Sequence, residues 1–221
     1  MARIAVFIDG SNMNSLVEKQ NPGKRIDFRA LMVLLKSWGE LFAAYVYLPT
    51  PALGEEPGQQ RHTEAVRKFL VFISHVGFRV RTKLTRPVFN GQEQVRTKAN
   101  FDVEIAFDVA IAALSGKVDE IYLFSGDSDF EYILQRVRDL PQGIKTVVVS
   151  PYKGTANELK LVADRFIPLD SLLGQIIQDR PERTGRPHRE IVEEAERALS
   201  PATPPEASPG ADPLLESENP S

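Results

Sequence analysis

The sequence predicts an α/β fold in three layers, with helices on both faces of a mostly parallel sheet. Three observations predict it. Short continuous apolar runs, RIAVFI, LFAAYVYL, EIYLFS and KTVVVS, read as strands buried on both faces. Segments with apolar residues at helical spacing separate them. Such β-α-β alternation, joined by right-handed crossovers, leaves few topologies, and the expected strand order is 3-2-1-4-5.

The elements follow in chain order. RIAVFI (3–8) is the first strand. Asp27 is placed to cap a helix through FRALMVLLKSW. LFAAYVYL (41–48) is the second strand, and PTPALGEEPG (49–58) a Pro/Gly loop. Residues 60–76 form a helix with Val66, Phe69, Leu70 and Ile73 on one face. FRVRTKLT (78–85) alternates with period two, as a half-exposed third strand does. FNGQEQV (89–95), with its Asn-Gly pair, suits a hairpin. A helix over 102–115 precedes the fourth strand (120–125); a helix over 129–140 precedes the fifth (145–150). A helix over 155–164 and a short final strand, RFIPL, complete the pattern. No internal repeat is present.

The chain of 221 residues carries a net charge of −3, unevenly placed. From residue 181 onward there are four Arg against nine Asp or Glu, eight of the 16 prolines and no aromatic residue. Such a segment buries too little apolar surface to offset its ordering entropy. We therefore expect a domain over 1–180 and a disordered, Pro-rich acidic tail over 181–221, with at most a transient helix near 190–199. With zero Cys there is neither a disulfide framework nor a thiolate metal site. No apolar run approaches the roughly 20 residues of a membrane helix, and no signal peptide is recognisable, so a cytoplasmic location is expected.

In an open parallel sheet the working site lies beyond the carboxyl ends of the strands, at the switch point. Here that point falls between the strands ending in IDGSN and FSGDSD. Asp9 follows the first of them, and Asp127 and Asp129 follow the other. Asp102 opens the 102–115 helix at the head of its core-facing stripe, Ile105, Ala106, Val109, Ala112 and Ala113. Clustered carboxylates repel and raise one another's pKa values. A divalent cation relieves this, and an all-oxygen donor set points to Mg²⁺ or Mn²⁺. Such ions support water attack on phosphodiesters.

Each residue also has a plain structural reading. An Asp after a strand serves as a helix N-cap or turn former. One of Asp127 and Asp129 must cap the following helix. Asp102 gains from the helix dipole. Asn12 reads either as a turn or cap residue or as a group orienting a ligand water, and Asp108 as structural or supporting. Competing motifs fail: no G-x-G-x-x-G, P-loop or G-x-S-x-G is present, and the three His are scattered. A haloacid-dehalogenase-type site would want Asp where Ser11 stands, an integrin-type metal site fails at Met13, and a Toprim site would want Glu in place of Asp9.

The blocks IDGSN, KANFDVEIAFD, FSGDSDF and NELKLVADRFIPL, in this order over about 3–169, resemble the NYN domain family, in particular its LabA-like (DUF88) branch. The resemblance implies a PIN-like fold and a metal-dependent ribonuclease site. By position it implies Asp9, Asp102 and Asp127 as metal carboxylates, with Asn12 and Asp129 as ligands or supporting groups. Asp108 matches a recurrent family aspartate, Lys98 loosely matches a family lysine, and Ser125 belongs to the SGDSDF block. The implied substrate is RNA, with single strands favoured. Arg79, Arg81 and Lys83 on one face of the third strand, with Arg86, Arg96 and Lys98 after it, read either as a track for a phosphate backbone or as charges guarding a sheet edge. Phe89 and Tyr152 are candidate base-stacking residues. The readings to separate are a ribonuclease, a non-catalytic RNA-binding or regulatory protein of the same fold, and a phosphatase acting on a small substrate. Apolar helix faces leave room for a homodimer.

Overall fold

The structure is a computed structural model that describes residues 1–51, 57–85, 87–90, 93–96 and 99–180; of 57–59, 87–90 and 93–96 it describes the backbone. The expected acidic tail and Lys98 lie outside the described residues, as do Arg86 and the side chains of Phe89 and Arg96.

The elements in order are β1 (Arg3–Asp9), α1 (Gly10–Gln20), β2 (Lys24–Ile26), α2 (Phe28–Trp38), β3 (Glu40–Pro51), α3 (Pro57–Val76), β4 (Arg79–Thr85), β5 (Pro87–Asn90), β6 (Glu93–Arg96), α4 (Asp102–Leu114), β7 (Glu120–Phe124), α5 (Glu131–Arg138), β8 (Lys145–Ser150), α6 (Asn157–Val162), β9 (Arg165–Pro168), α7 (Leu173–Ile176) and β10 (Ile177–Asp179). Six of these strands form one sheet in the order β4-β3-β1-β7-β8-β9. Every pairing in it is parallel. The first five match the expected order, which stopped there; the short final strand, RFIPL, pairs with β8 and extends the sheet to a sixth strand. Two antiparallel pairs stand outside it, β2 with β10 and the expected hairpin, β5 with β6.

The strand period of two divides the core. Ile4, Val6 and Ile8 of β1 face one layer, with Leu31 and Leu35 of α2, Met13 and Val17 of α1 and Ile73 of α3. Ala5 and Phe7 face the other, with Ile105 and Val109 of α4, Leu134 and Val137 of α5 and Leu159 of α6. Burying each large aliphatic or aromatic side chain contributes about 1.5–3 kcal/mol, and the strands carry one on nearly every residue, which is why they read as unbroken apolar runs.

Local chemistry sets the element ends. Asp27 caps α2 as expected, accepting from the backbone N–H of Arg29 and Ala30 at 2.9 and 3.1 Å. β3 runs to Pro51, three residues into the expected loop. There Thr50 Oγ1 donates to the Lys83 carbonyl of β4, and Thr85 Oγ1 of β4 donates to the Thr50 carbonyl of β3, and the two bonds prolong the pairing. Helix α1 was not marked by hydrophobic pattern: its sequence, GSNMNSLVEKQ, buries only Gly10, Met13 and Val17. Its start is fixed instead by Asp9, so the end of β1 passes directly into the helix at the switch point.

A candidate carboxylate metal centre

β1 and β7 are neighbours in the sheet, and their carboxyl ends open on the same crevice. Asp9 closes β1 in an extended conformation and caps α1, its Oδ1 accepting the N–H of Asn12 at 3.0 Å. Gly10 follows because β3 passes too close for anything larger: a Cβ there would stand 2.7 Å from the Tyr47 carbonyl oxygen and 2.6 Å from Leu48 Cδ2. Asp9 is only 8% exposed. Burial raises its carboxyl above the usual range, and the charges of Asp102 and Asp127 push it the same way, against the N–H groups of Asn12 and Ser11.

Across the crevice, β7 ends in the SGDSDF turn. Ser125 is buried, and its Oγ accepts the N–H of Asp127 at 3.3 Å. Asp127 caps a short 3-10 turn, Ser128–Phe130, its Oδ1 accepting the N–H of Asp129 at 3.2 Å. Phe130, fully buried, pins that turn to the core. Gly126 leaves no room for a side chain: a Cβ would lie 2.6 Å from Ser150 Oγ and 3.3 Å from the Cα of Thr155. Its carbonyl accepts the N–H of Ala156 at 3.2 Å, which ties the loop after β8 to the loop after β7.

Asp102 comes in from α4. Buried Phe101 anchors the helix start, and the Asp102 N–H donates to Asn100 Oδ1 at 2.7 Å. Burial raises the Asp102 carboxyl, and Asp127, Asp129 and Glu104 add to the effect against a hydrogen bond with Asn100. Carboxylate oxygens of Asp102, Asp127 and Asp129 all lie within 4.8 Å of one another. Asp9 stands outside this tight set but within electrostatic reach of Asp102 and Asp127. Of the four aspartates expected at the switch point, the tight set is therefore Asp102, Asp127 and Asp129, with Asp9 within electrostatic reach, rather than Asp9, Asp102 and Asp127. This set suits a hard divalent cation: three charged oxygen donors that repel one another, with no nitrogen or sulfur among them. Asn12 Oδ1 is also buried and has no hydrogen-bond partner among the described residues.

Asp108 belongs elsewhere. It lies six residues beyond Asp102 on α4, about 9 Å along the axis. Its Oδ2 accepts from the Tyr47 hydroxyl at 2.8 Å and from Arg81 Nε at 3.4 Å. Burial, then that hydrogen bond, raises the Tyr47 phenol well above its ordinary value. Nothing local in the sequence marks Tyr47 and Arg81 as its partners. The basic residues of β4 are likewise engaged. β4 is a sheet edge. Arg79 donates to the Tyr45 hydroxyl at 2.9 Å, Arg81 pairs with Asp108, and Lys83 pairs with Glu104 at 2.5 Å and bonds the Asn100 carbonyl at 2.8 Å. Arg81 and Lys83 fasten the edge strand to α4, and Arg79 fastens it to β3. Tyr152 is exposed, with Lys160 Nζ 4.5 Å from its ring centre. The sequence did not single out Ser150 or Thr155, buried polar groups under Gly126; the available signal was that VVVS ends in serine as YLFS does.

Residues 3–170 match the NYN domain family. The chain is 33% identical over 189 residues to the low amplitude and bright protein LabA of Synechococcus elongatus, covering 84% of this chain and 91% of that one. A crystal structure of a Vibrio parahaemolyticus protein of unknown function superposes with a TM-score of 0.57 at 23% identity, covering 80% of this chain and 96% of the other, which establishes likeness of fold.

Proposed function

The chain belongs to the NYN domain family, and from that premise we propose that it is a ribonuclease dependent on Mg²⁺ or Mn²⁺, hydrolysing phosphodiester bonds of single-stranded RNA in the cytoplasm. The observation that carries this reading is the convergence of Asp102, Asp127 and Asp129 within 4.8 Å, with buried Asp9 beside them, at the switch point. Residues 1–180 are the catalytic unit in this reading, and 181–221 an appended acidic tail.

Asp102, Asp127 and Asp129 hold the cation, with Asp9 completing the acidic wall and Asn12 Oδ1 orienting water. When bound, the ion lowers the pKa of a water and neutralises charge on the phosphoryl oxygens. The chain's own part is positional. Asp9 is fixed by its capping bond, Asp127 by Ser125 and its own turn, and Asp102 by Asn100 and Phe101. An attacking water forms a new P–O bond as one ester P–O bond breaks, giving one phosphate end and one hydroxyl end. The acidic wall repels a bare phosphate chain, so productive binding requires the cation. Asp108, bonded to Tyr47 and Arg81, stiffens α4 and does not reach the scissile bond.

No helix among the described residues is long and apolar enough to cross a membrane. The test is cleavage of labelled single-stranded RNA with Mn²⁺, with and without EDTA, beside Asp9→Asn and Asp127→Asn. Metal-dependent cleavage lost in both variants supports the ribonuclease. Binding without cleavage would replace it with a non-catalytic RNA-binding protein, and cleavage surviving both substitutions would mean the activity is not this site's.

A further inference from the structure

Helix α4 is apolar on the side it should show to water. Its core-facing side buries Ile105, Val109, Ala112 and Ala113. On the opposite side, at spacings of four, four and three, stand Val103, Phe107, Ile111 and Leu114, which are 79, 64, 53 and 64% exposed. These positions run the whole length of the 13-residue helix. An amphipathic surface helix places charge there, and a helix apolar on every side belongs in an interior. Among the described residues nothing covers this stripe.

From this we infer that the chain is a homodimer in which α4 packs antiparallel against α4 of a second copy. The first argument is symmetry. A two-fold contact requires a self-complementary patch. The stripe is nearly symmetric about residue 109, so an antiparallel pair sets Val103 against the partner's Leu114 and Phe107 against the partner's Ile111.

The second argument is area. The four side chains leave roughly 500 Å² in water, on the scale of 150–250 Å² for a whole aromatic. Half-buried Ala106 and Ala110, and exposed Tyr132 on the adjoining α5, bring each side toward the roughly 800 Å² of a standard interface. A dimer dissociating in the micromolar range suits an interface of this size.

The third argument is charge. Glu104 and Asp108 flank the stripe, each already paired to a cation of β4, and the carboxylates of Asp102, Asp127 and Asp129 gather at one end, so neither an anionic lipid surface nor a nucleic acid suits it. Antiparallel packing places the acidic start of one helix beside exposed Lys117, just past the end of the other, and opposes the two helix dipoles. It also puts the two carboxylate centres at opposite ends of the contact, about 20 Å apart along the helix, so both remain open. The inference does not depend on the proposed chemistry.

The test is sedimentation of the full chain up to ~100 μM, with Phe107→Glu, Ile111→Gln and, since the chain has no cysteine, Ala110→Cys near the two-fold axis. We expect a concentration-dependent dimer in the parent and a dissociation constant raised roughly 30-fold or more by either interface variant. Melting temperature should be unchanged at dilutions where all are monomeric, because both side chains face outward. Ala110→Cys should form a disulfide-linked dimer under mild oxidation. A parent monomeric at the highest concentration, a dimer indifferent to Phe107→Glu and Ile111→Gln, or an Ala110→Cys dimer that fails to cross-link would each overturn it.

Discussion

Replacing Asp102 by Asn separates the cost of the carboxylate cluster from its use. The side chain keeps nearly the same shape, and the helix start still rests on Asn100 and Phe101. What changes is charge. Asp102 has carboxylate oxygens within 4.8 Å of those of Asp127 and Asp129. One such like-charge pair costs about 0.9 kcal/mol in bulk water and about 3.5 kcal/mol at an effective dielectric of 20. Asp102 is partly exposed, so the water-like figure applies more closely. Removing two such pairs should stabilise the metal-free protein by about 1–2 kcal/mol, or about 2–8 °C in melting temperature for a domain of this size. With Mn²⁺ the order should reverse. The parent gains about 2.7 kcal/mol at a hundredfold excess of ion over its dissociation constant, and the variant gains far less. The assay is thermal melting in EDTA and across a Mn²⁺ titration. A variant less stable than the parent in EDTA, or one that gains from Mn²⁺ as much as the parent, would refute the reasoning that these carboxylates are strained without a cation and hold one.

The pH dependence in EDTA has a worked sign. The folded-state carboxyls of Asp9 and Asp102 are raised above 3.8, so their favourable protonated form is fully present below that value and its stabilisation is lost as pH rises through their folded pKa values. The stability advantage of Asp102→Asn should therefore vanish below pH 3.8 and grow above it, which melting curves from pH 3 to 7 would check. Gly126→Ala should cost about 1–3 kcal/mol, because its Cβ would meet Ser150 Oγ at 2.6 Å; Ser150→Ala in the same chain should recover part of that in a denaturant double-mutant cycle. Tyr47→Phe removes the 2.8 Å bond to Asp108 and should lower stability by about 1.5–3 kcal/mol with little effect on RNA cleavage, measured by urea unfolding and the labelled-RNA assay.

Much of the fold was legible because the strands are buried on both faces and so read as plain apolar runs. Asp127 and Asp129 stood out because capping the next helix needs one carboxylate and the chain places two there; Asp127 is the cap, and both lie in the acidic cluster. Asp102 was legible because it sits at the head of a core-facing stripe. Other features were hidden for physical reasons. Helix α1 has few apolar residues, and its start signal, Asp9, is the same residue that signals the site. The partners of Asp108 lie 61 and 27 residues away and meet it only through sheet packing. Arg81 and Lys83 of β4 looked free in the sequence because their acceptors, Asp108 and Glu104, are on a helix later in the chain. The outward apolar stripe of α4 was visible as residues, but the sequence alone could not tell which of two apolar faces is buried.

The central claim is that Asp102 at the start of α4 and Asp127 and Asp129 after β7 hold one divalent cation, with Asp9 at the end of β1 beside it. The most direct measurement is a crystal of the protein soaked in Mn²⁺, with anomalous difference density at the manganese edge. The account predicts a peak at the switch point, about 2.0–2.3 Å from carboxylate oxygens of Asp102 and Asp127, absent in a crystal of Asp127→Asn. An unoccupied crevice at saturating Mn²⁺, or a peak that persists unmoved in Asp127→Asn, would contradict it.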